Sequence, residues 1–361
     1  MKLLKILDWP SKQYYGETHH FHRWKKQLLN HGLKVEFYVD HRDPRLADAD
    51  YVLIHSRYFA TGWQNINIRN ARNEENLFRF LQELRGSADR LIWFDAADST
   101  GSYDFPVLPY VDVFLKKQLL LNRDYYVNPE GGKDIRVWLN CFSPEERKRF
   151  DPCPQKELHK LRLGWNIGFN DYRYFGYKMS RLSNYLSYNL YPVRFADVNQ
   201  QRPYDLAYRG RIHGDHEGQK GVFYQRNHLL SLFKEMNLQL ATGSNVSKTR
   251  YWKELKSSKL SVSPFGWGEI CYRDFETFIS GAVLVKPVMS HIETFPDLFI
   301  PDETYVPVHW NLSGLEGQLT EIINNYSYYR HIARNGQEKY HEAINDAEKF
   351  ISFFKQSINN T

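Results

Sequence analysis

The chain has 361 residues, 42% of them apolar and 25% charged, the balance of a globular protein of about two domains. Its net charge of +6 is modest, and the densest basic piece, "EERKRF" at 145–150, is mixed in sign; this reading excludes nucleic acid and leaves a phosphate-bearing substrate or an anionic membrane surface. The three cysteines, Cys141, Cys153 and Cys271, are scattered without metal-type spacing, which excludes a disulfide framework and points to a reducing compartment.

The opening "KLLKIL" reads as a strand, too short for a signal segment or a membrane span. "DWPSKQYYGET" is a loop of turn formers, and Thr18 or Glu17 starts the helical pattern "HHFHRWKKQLLNHG", which ends at Gly32. The strands "KVEFYV", "DYVLIHS" (50–56) and "RLIWFDA" (90–96) follow, the last two separated by the helical "NEENLFRFLQELRG". "YVDVFLKKQLL" reads as a strand running into a helix. Residues 170–203 are rich in Tyr and Arg and show no clean strand, so the inter-domain connection is expected there, ending at Pro203.

A second alternation then starts. "YDLAYRG", "LQLATG", "KLSVSPFG", "AVLVKP" and "TYVPVHW" read as strands. Between them "QRNHLLSLFKEM", "TRYWKELKSS" and the stretch from Tyr272 read as helices, the last stopping at Gly281. "LEGQLTEIINN" and a long stretch from Tyr328 to Gln356 close the chain. The expected fold is therefore α/β, two Rossmann-like doubly wound domains facing across a cleft. The expected division is 1–170 for the first domain, 171–203 for the connection and 204–345 for the second domain, with 346–361 a helix returning to the first domain. No stretch reaches membrane-spanning length, so a cytoplasmic protein is expected, with peripheral membrane contact left open.

Ligands of open parallel sheets bind beyond the carboxyl ends of the strands. In the first half those loops present Tyr15, Gly16, Glu17 and His19, then Asp95, Asp98 and Ser99. One of these would take a proton from an acceptor: Asp98 first, His19 or Glu17 second. The plain alternative is that 98–101 is a turn or helix cap. In the second half, Gly210-Arg211 opens a polar loop that closes on Lys220-Gly221, with two phosphate-seeking cations. Arg273 stands at a helix start, where backbone N–H groups attract anions, and Glu276 lies one turn on, an acceptor for ribose hydroxyls. The plain alternatives are a solvated loop and an intrahelical Arg–Glu pair.

With these residues assembled, the second half resembles glycosyltransferases of the two-domain GT-B architecture, group 1 and the related CgeB-like and exostosin-like sequences, over residues 204–345. The likeness rests on Gly210-Arg211 with Lys220-Gly221, on Arg273-x-x-Glu276 with Gly281 and "AVLVKP", and on Glu293 beyond the next loop. It implies a nucleotide-diphosphate-sugar donor held by Arg211, Lys220, Arg273, Gly210, Tyr272 and His291, with Glu276 on the ribose and Glu269 and Glu293 beside the donor. Members that retain anomeric configuration carry a glutamate eight residues before Glu276. Gly268 stands there in this chain, with Glu269 next, which leaves stereochemistry open. The resemblance implies no catalytic metal and no cofactor beyond the nucleotide-sugar co-substrate.

No metal site is expected. Asp48-Ala-Asp50 precedes its strand, and His19, His20 and His22 have the spacing of helix-surface histidines. The expected function is transfer of a sugar to a saccharide or lipid-linked acceptor in surface polysaccharide or glycoconjugate synthesis. A non-catalytic sugar-nucleotide-binding module and an epimerase of the same fold are the alternatives. A phosphorylase would need a pyridoxal-phosphate lysine, for which only Lys286 offers itself.

Overall fold

Short β-branched and aromatic runs, each followed by an amphipathic segment, make two parallel sheets in the computed structural model, which describes residues 1–9, 16–129, 135–142, 151–166, 193–210 and 220–359. The N-terminal lobe holds β1 (Lys2–Leu7), β2 (Leu33–Tyr38), β3 (Ala49–His55), β4 (Ala88–Asp95), β5 (Val113–Lys116), β6 (Gln118–Leu120) and β7 (Leu161–Leu163). Its sheet runs β2-β1-β3-β4-β5-β7, all parallel. The C-terminal lobe holds β8 (Tyr204–Arg209), β9 (Leu240–Gly243), β10 (Ser258–Val262), β11 (Val283–Pro287), β12 (Ile292–Thr294) and β13 (Val306–Val308). Its sheet runs β13-β11-β10-β8-β9 and repeats the order of the first. In each sheet the chain reverses its direction of travel between the first and third strands, β1/β3 and β8/β10, which fixes a ligand crevice at their carboxyl ends.

Burial follows from this layering. Leu91, Ile92, Trp93 and Phe94 on the central β4 are all fully buried, because helices cover both faces of a parallel sheet. Those helices are α1 (His19–Arg23), α2 (Lys25–Asn30) and α3 (Ala71–Arg85) in the first lobe. In the second they are α4 (Lys220–Glu235), α5 (Lys248–Lys256), α6 (Tyr272–Ser280), α7 (Leu315–Asn324) and α8 (Tyr326–Ala343), followed by α9 (Ala347–Asn359). Asn70 and Asn73 form a reciprocal capping box at the start of α3. Gly281 ends α6 in the left-handed region at φ +64°, where a residue without Cβ meets no steric penalty.

The structure corrects several expectations. The helix expected from residue 18 to 32 is two short ones, broken at Trp24, whose ring is buried against His20 and Phe350. His19 and His20 are buried on α1 rather than on a helix surface, because α9 closes over that side. The helix expected after β5 is instead β6, which pairs antiparallel with β12 of the other lobe, Gln118 opposite Thr294 and Leu120 opposite Ile292. The long closing helix is two, with Asp346 accepting from the Lys349 amide at 2.8 Å as α9 begins. α9 lies on the N-terminal lobe: Phe354 meets Phe21 edge-on at 5.0 Å, and Arg90 donates to the Ile358 carbonyl at 2.6 Å. No helix among the described residues is long and apolar enough to cross a membrane.

Candidate functional site

The carboxyl ends of both sheets open on one cleft of about 530 Å³, lined by Glu17, Asp98, Lys117, Trp165 and Asn166 from the first lobe and Ile270, Cys271, Tyr272 and Phe275 from the second. Glu17 follows β1, Asp98 follows β4, and Lys117 stands between β5 and β6. The Lys117 ammonium bridges the two carboxylates, 3.2 Å from Glu17 Oε1 and 2.9 Å from Asp98 Oδ1. Burial alone would raise the Glu17 carboxyl, but the Lys117 charge and the neighbouring His55 imidazole hold it down to about 2. Burial works against the Lys117 charge as well, yet Asp98 and Glu17 together push its pKa above the usual lysine value. Asp98 is the more open of the pair, its side chain 52% exposed against 8% for Glu17. His19 is not among the cleft-lining residues, and burial, followed by the charge of neighbouring His20, pushes its imidazole well below the usual range.

On the opposite wall α6 begins. Cys271 is its N-cap, the Asp274 carboxylate accepts from the Cys271 amide at 3.0 Å, and Tyr272 is the first helical residue. The N-terminal end of a helix carries partial positive charge. Behind them lies a knot of cations and rings at the ends of β8 and β10. Arg273 donates to the Arg209 carbonyl at 2.8 Å and sits 5.0 Å over the Tyr208 ring. Glu276 accepts from the Tyr251 hydroxyl at 2.5 Å, and burial raises its pKa above the usual carboxylate value. Gly210 lies against Tyr208 so closely that a Cβ there would come within 2.8 Å of the ring. The α4 guanidinium of Arg226 occupies the space a side chain at Gly266 would fill, 2.3 Å from that Cβ position. Its pKa is lowered by burial first and then by Arg273, with Tyr208 and Cys271 working the other way.

The structure thus brings Arg273, Glu276 and Gly210 together, one helix face away from Tyr272 in the cleft wall. Arg211 lies outside the described residues, as does the Lys220 side chain at the start of α4. Glu293 is engaged across the lobes, its Oε2 2.6 Å from Arg123 on the β6–β12 ribbon side. His291 rests beside Trp310 at 5.0 Å, and burial pushes its pKa down to about 4. Two residues before it, the Met289 amide donates to the Tyr305 hydroxyl at 3.0 Å. Lys286 is buried in an ion pair with Asp274 at 3.0 Å. Glu269 reaches into the other lobe. Sequence reasoning missed Lys117, Arg226 and Tyr251. Lys117 follows a strand directly, and reading "KKQLL" as a helix hid it; nothing local marks the other two. Among the described residues no group of three His, Cys, Asp or Glu side chains is arranged to hold a metal ion.

Several solved structures are similar over the whole chain, two of them as follows. One is an alpha-glucosyltransferase in complex with UDP and a 13-mer DNA containing an HMU base, at TM-score 0.50 and 9% identity, over 99% of this chain and 100% of that one. The other is an alpha-glucosyltransferase in complex with UDP-glucose and DNA containing an abasic site, at TM-score 0.51 and 9% identity, over 99% of each chain. The fold is GT-B. No family model matches the sequence, and no curated protein matches it. At 9% identity the likeness is one of architecture: two doubly wound GT-B lobes, residue for residue almost unrelated.

The GT-B comparison corrects one expectation. The expectation that dispersed charge excludes nucleic acid does not stand, because these two alpha-glucosyltransferase structures are complexes with DNA. Cations that a fold gathers need not be neighbours in sequence, so the lack of a basic run does not exclude such a partner.

Proposed function

We propose that this chain transfers a glycosyl group from a nucleoside-diphosphate sugar, a UDP-sugar in the first instance, to a hydroxyl acceptor. One observation carries the proposal: both sheets turn their carboxyl ends to a single cleft, where the first turn of α6 faces Asp98 and Lys117. Leaving of the nucleoside diphosphate builds negative charge, and fixed donors aimed at that charge supply the largest share of such catalysis. The α6 terminus and Arg273 are suited to this, with Arg226 behind them, and Arg211 and Lys220 would add their charge in place of a metal ion. Glu276 would take the ribose hydroxyls. Asp98, open to the cleft and oriented by Lys117, is the residue to receive the acceptor proton. No cofactor beyond the nucleotide sugar enters this scheme.

The acceptor we favour is a saccharide or lipid-linked hydroxyl, met at the cytoplasmic face of a membrane. A second reading, a hydroxyl carried on nucleic acid, is favoured by the DNA in the similar structures. A melting-temperature screen against UDP, GDP and ADP tests the donor half, because a bound ligand stabilises the folded state. UDP release from UDP-glucose in the presence of oligosaccharide, lipid-linked sugar or duplex DNA tests the acceptor half. A protein whose melting point ignores every nucleotide, and which releases no UDP, is not a glycosyltransferase.

A further inference from the structure

We propose that Glu269 is a positioning residue that couples the C-terminal lobe to the loop carrying Asp98, so that occupation of the α6 terminus sets the place of the proton acceptor. The inference rests on the donor reading above. Glu269 belongs to the segment between β10 and α6, two residues before Cys271 and three before Tyr272 of the cleft wall. Its side chain is 0% exposed and leaves its own lobe. Oε1 accepts from Thr100 Oγ1 at 2.9 Å, and Oε2 accepts from the Thr100 amide at 3.2 Å and from Gln118 Nε2 at 3.4 Å. Every one of these donors is N-terminal.

The contact is tight as well as polar. A Cβ on Gly268 would lie 1.5 Å from the Asp98 carbonyl oxygen and 2.7 Å from the Ser99 nitrogen, so only glycine allows this approach of backbone to backbone. Gln118 Nε2 also donates to the Asp98 carbonyl. From its own lobe the Asp98 loop is held by Lys116 on the Gly101 carbonyl at 2.9 Å, by the Asp95 carboxylate on the Ala97 amide at 2.8 Å, and by Lys117 on the Asp98 carboxylate at 2.9 Å. Residues 98–100 also meet the other lobe, through Gly268 against the Asp98 carbonyl and Glu269 on Thr100. Were the lobes to part, the Thr100 amide and the Glu269 carboxylate would exchange these bonds for water, so the bonds belong to the closed form alone. Asp98 therefore takes its place in the cleft with help from the same segment that leads into the donor-side helix.

Amide hydrogen exchange with UDP as the probe tests this. In the unmodified protein UDP should slow exchange both at 266–274 and at 97–104. In E269A it should still slow exchange at 266–274, with a UDP Kd within about twofold, but lose its effect at 97–104. E269Q, which keeps an oxygen for Thr100, should recover at least half of that effect. Should E269A fail to fold, T100A removes one of the same donors and should show the same split at smaller amplitude. Protection at 266–274 without any at 97–104 in the unmodified protein, or full retention in E269A, overturns the coupling and leaves the donor reading standing. Protection in neither segment, with no rise in melting temperature, overturns the donor reading and this inference with it.

Discussion

Lys117 shows how much one side chain can carry. It is a lysine buried between two carboxylates, and taking it away would strand Glu17 inside the protein. Replacing Lys117 by Met should cost about 3–5 kcal/mol in urea unfolding, with Glu17→Gln recovering part of the loss in the double variant. Asp104 makes a different expectation. Burial first, and then the Asp95 carboxylate, push its pKa up to about 7, while Gln64 and Trp93 donate to it and Arg69 stands 3.9 Å away. A raised carboxyl favours the fold only while protonated, so its contribution is whole below the ordinary value near 3.8 and lost as pH rises through about 7. Asp104→Asn keeps an oxygen acceptor and cannot ionise; its stability relative to the unmodified protein should grow between about pH 4 and pH 7 in denaturation curves. At the proposed site, two changes should separate. Glu276→Ala should weaken UDP binding by about 1.5–3 kcal/mol, whereas Asp98→Asn should leave it alone and slow turnover by about 10²–10⁴; titration calorimetry and UDP release measure the two.

Among the elements, α6 joins fold to site. Its apolar face, Phe275, Phe278 and Ile279, is buried, and Phe275 and Phe278 meet Tyr340 of α8 at 5.3 and 5.9 Å. Its start borders the cleft, and its end turns at Gly281 into β11. An alanine at Gly281 would be held at positive φ, with Arg202 and Gln337 nitrogens 3.0 and 3.1 Å from its methyl. The expected cost is about 1–2 kcal/mol, read as a lowered melting temperature with the nucleotide response intact. Much of this element was legible beforehand: an amphipathic run, a small Ser-Gly end and an apolar strand are local patterns. The β6–β12 ribbon was not. Three residues have no readable period, and each strand's partner lies about 170 residues away.

For the molecule as a whole, the lobes share structure as well as a cleft. One continuous hydrophobic cluster includes Leu4 and Phe94 of the first lobe, Phe275 and Leu284 of the second, and Phe350 and Phe354 of α9. Phe354 is fully buried against Phe21 and Trp165. Truncating it to Ala should cost about 3–5 kcal/mol. Far-UV and tryptophan signals should then unfold together at a lower denaturant midpoint, and two separated transitions would show that the lobes are energetically independent.

What the sequence determined by itself was the alternation that makes each lobe: strand periods, helix ends at Gly32 and Gly281, and charged residues on loops after strands. These depend on neighbours within a few positions, which a single chain displays. Only the tertiary structure decided that Glu269 bonds Thr100 of the opposite lobe, that His19 is buried on α1 and Glu293 pairs with Arg123, and that Lys117 stands between Glu17 and Asp98. A carboxylate in a loop looks the same in sequence whether it will meet a ligand or the amide of Thr100. What distinguishes the two is which donors the folded backbone brings within hydrogen-bonding distance of it.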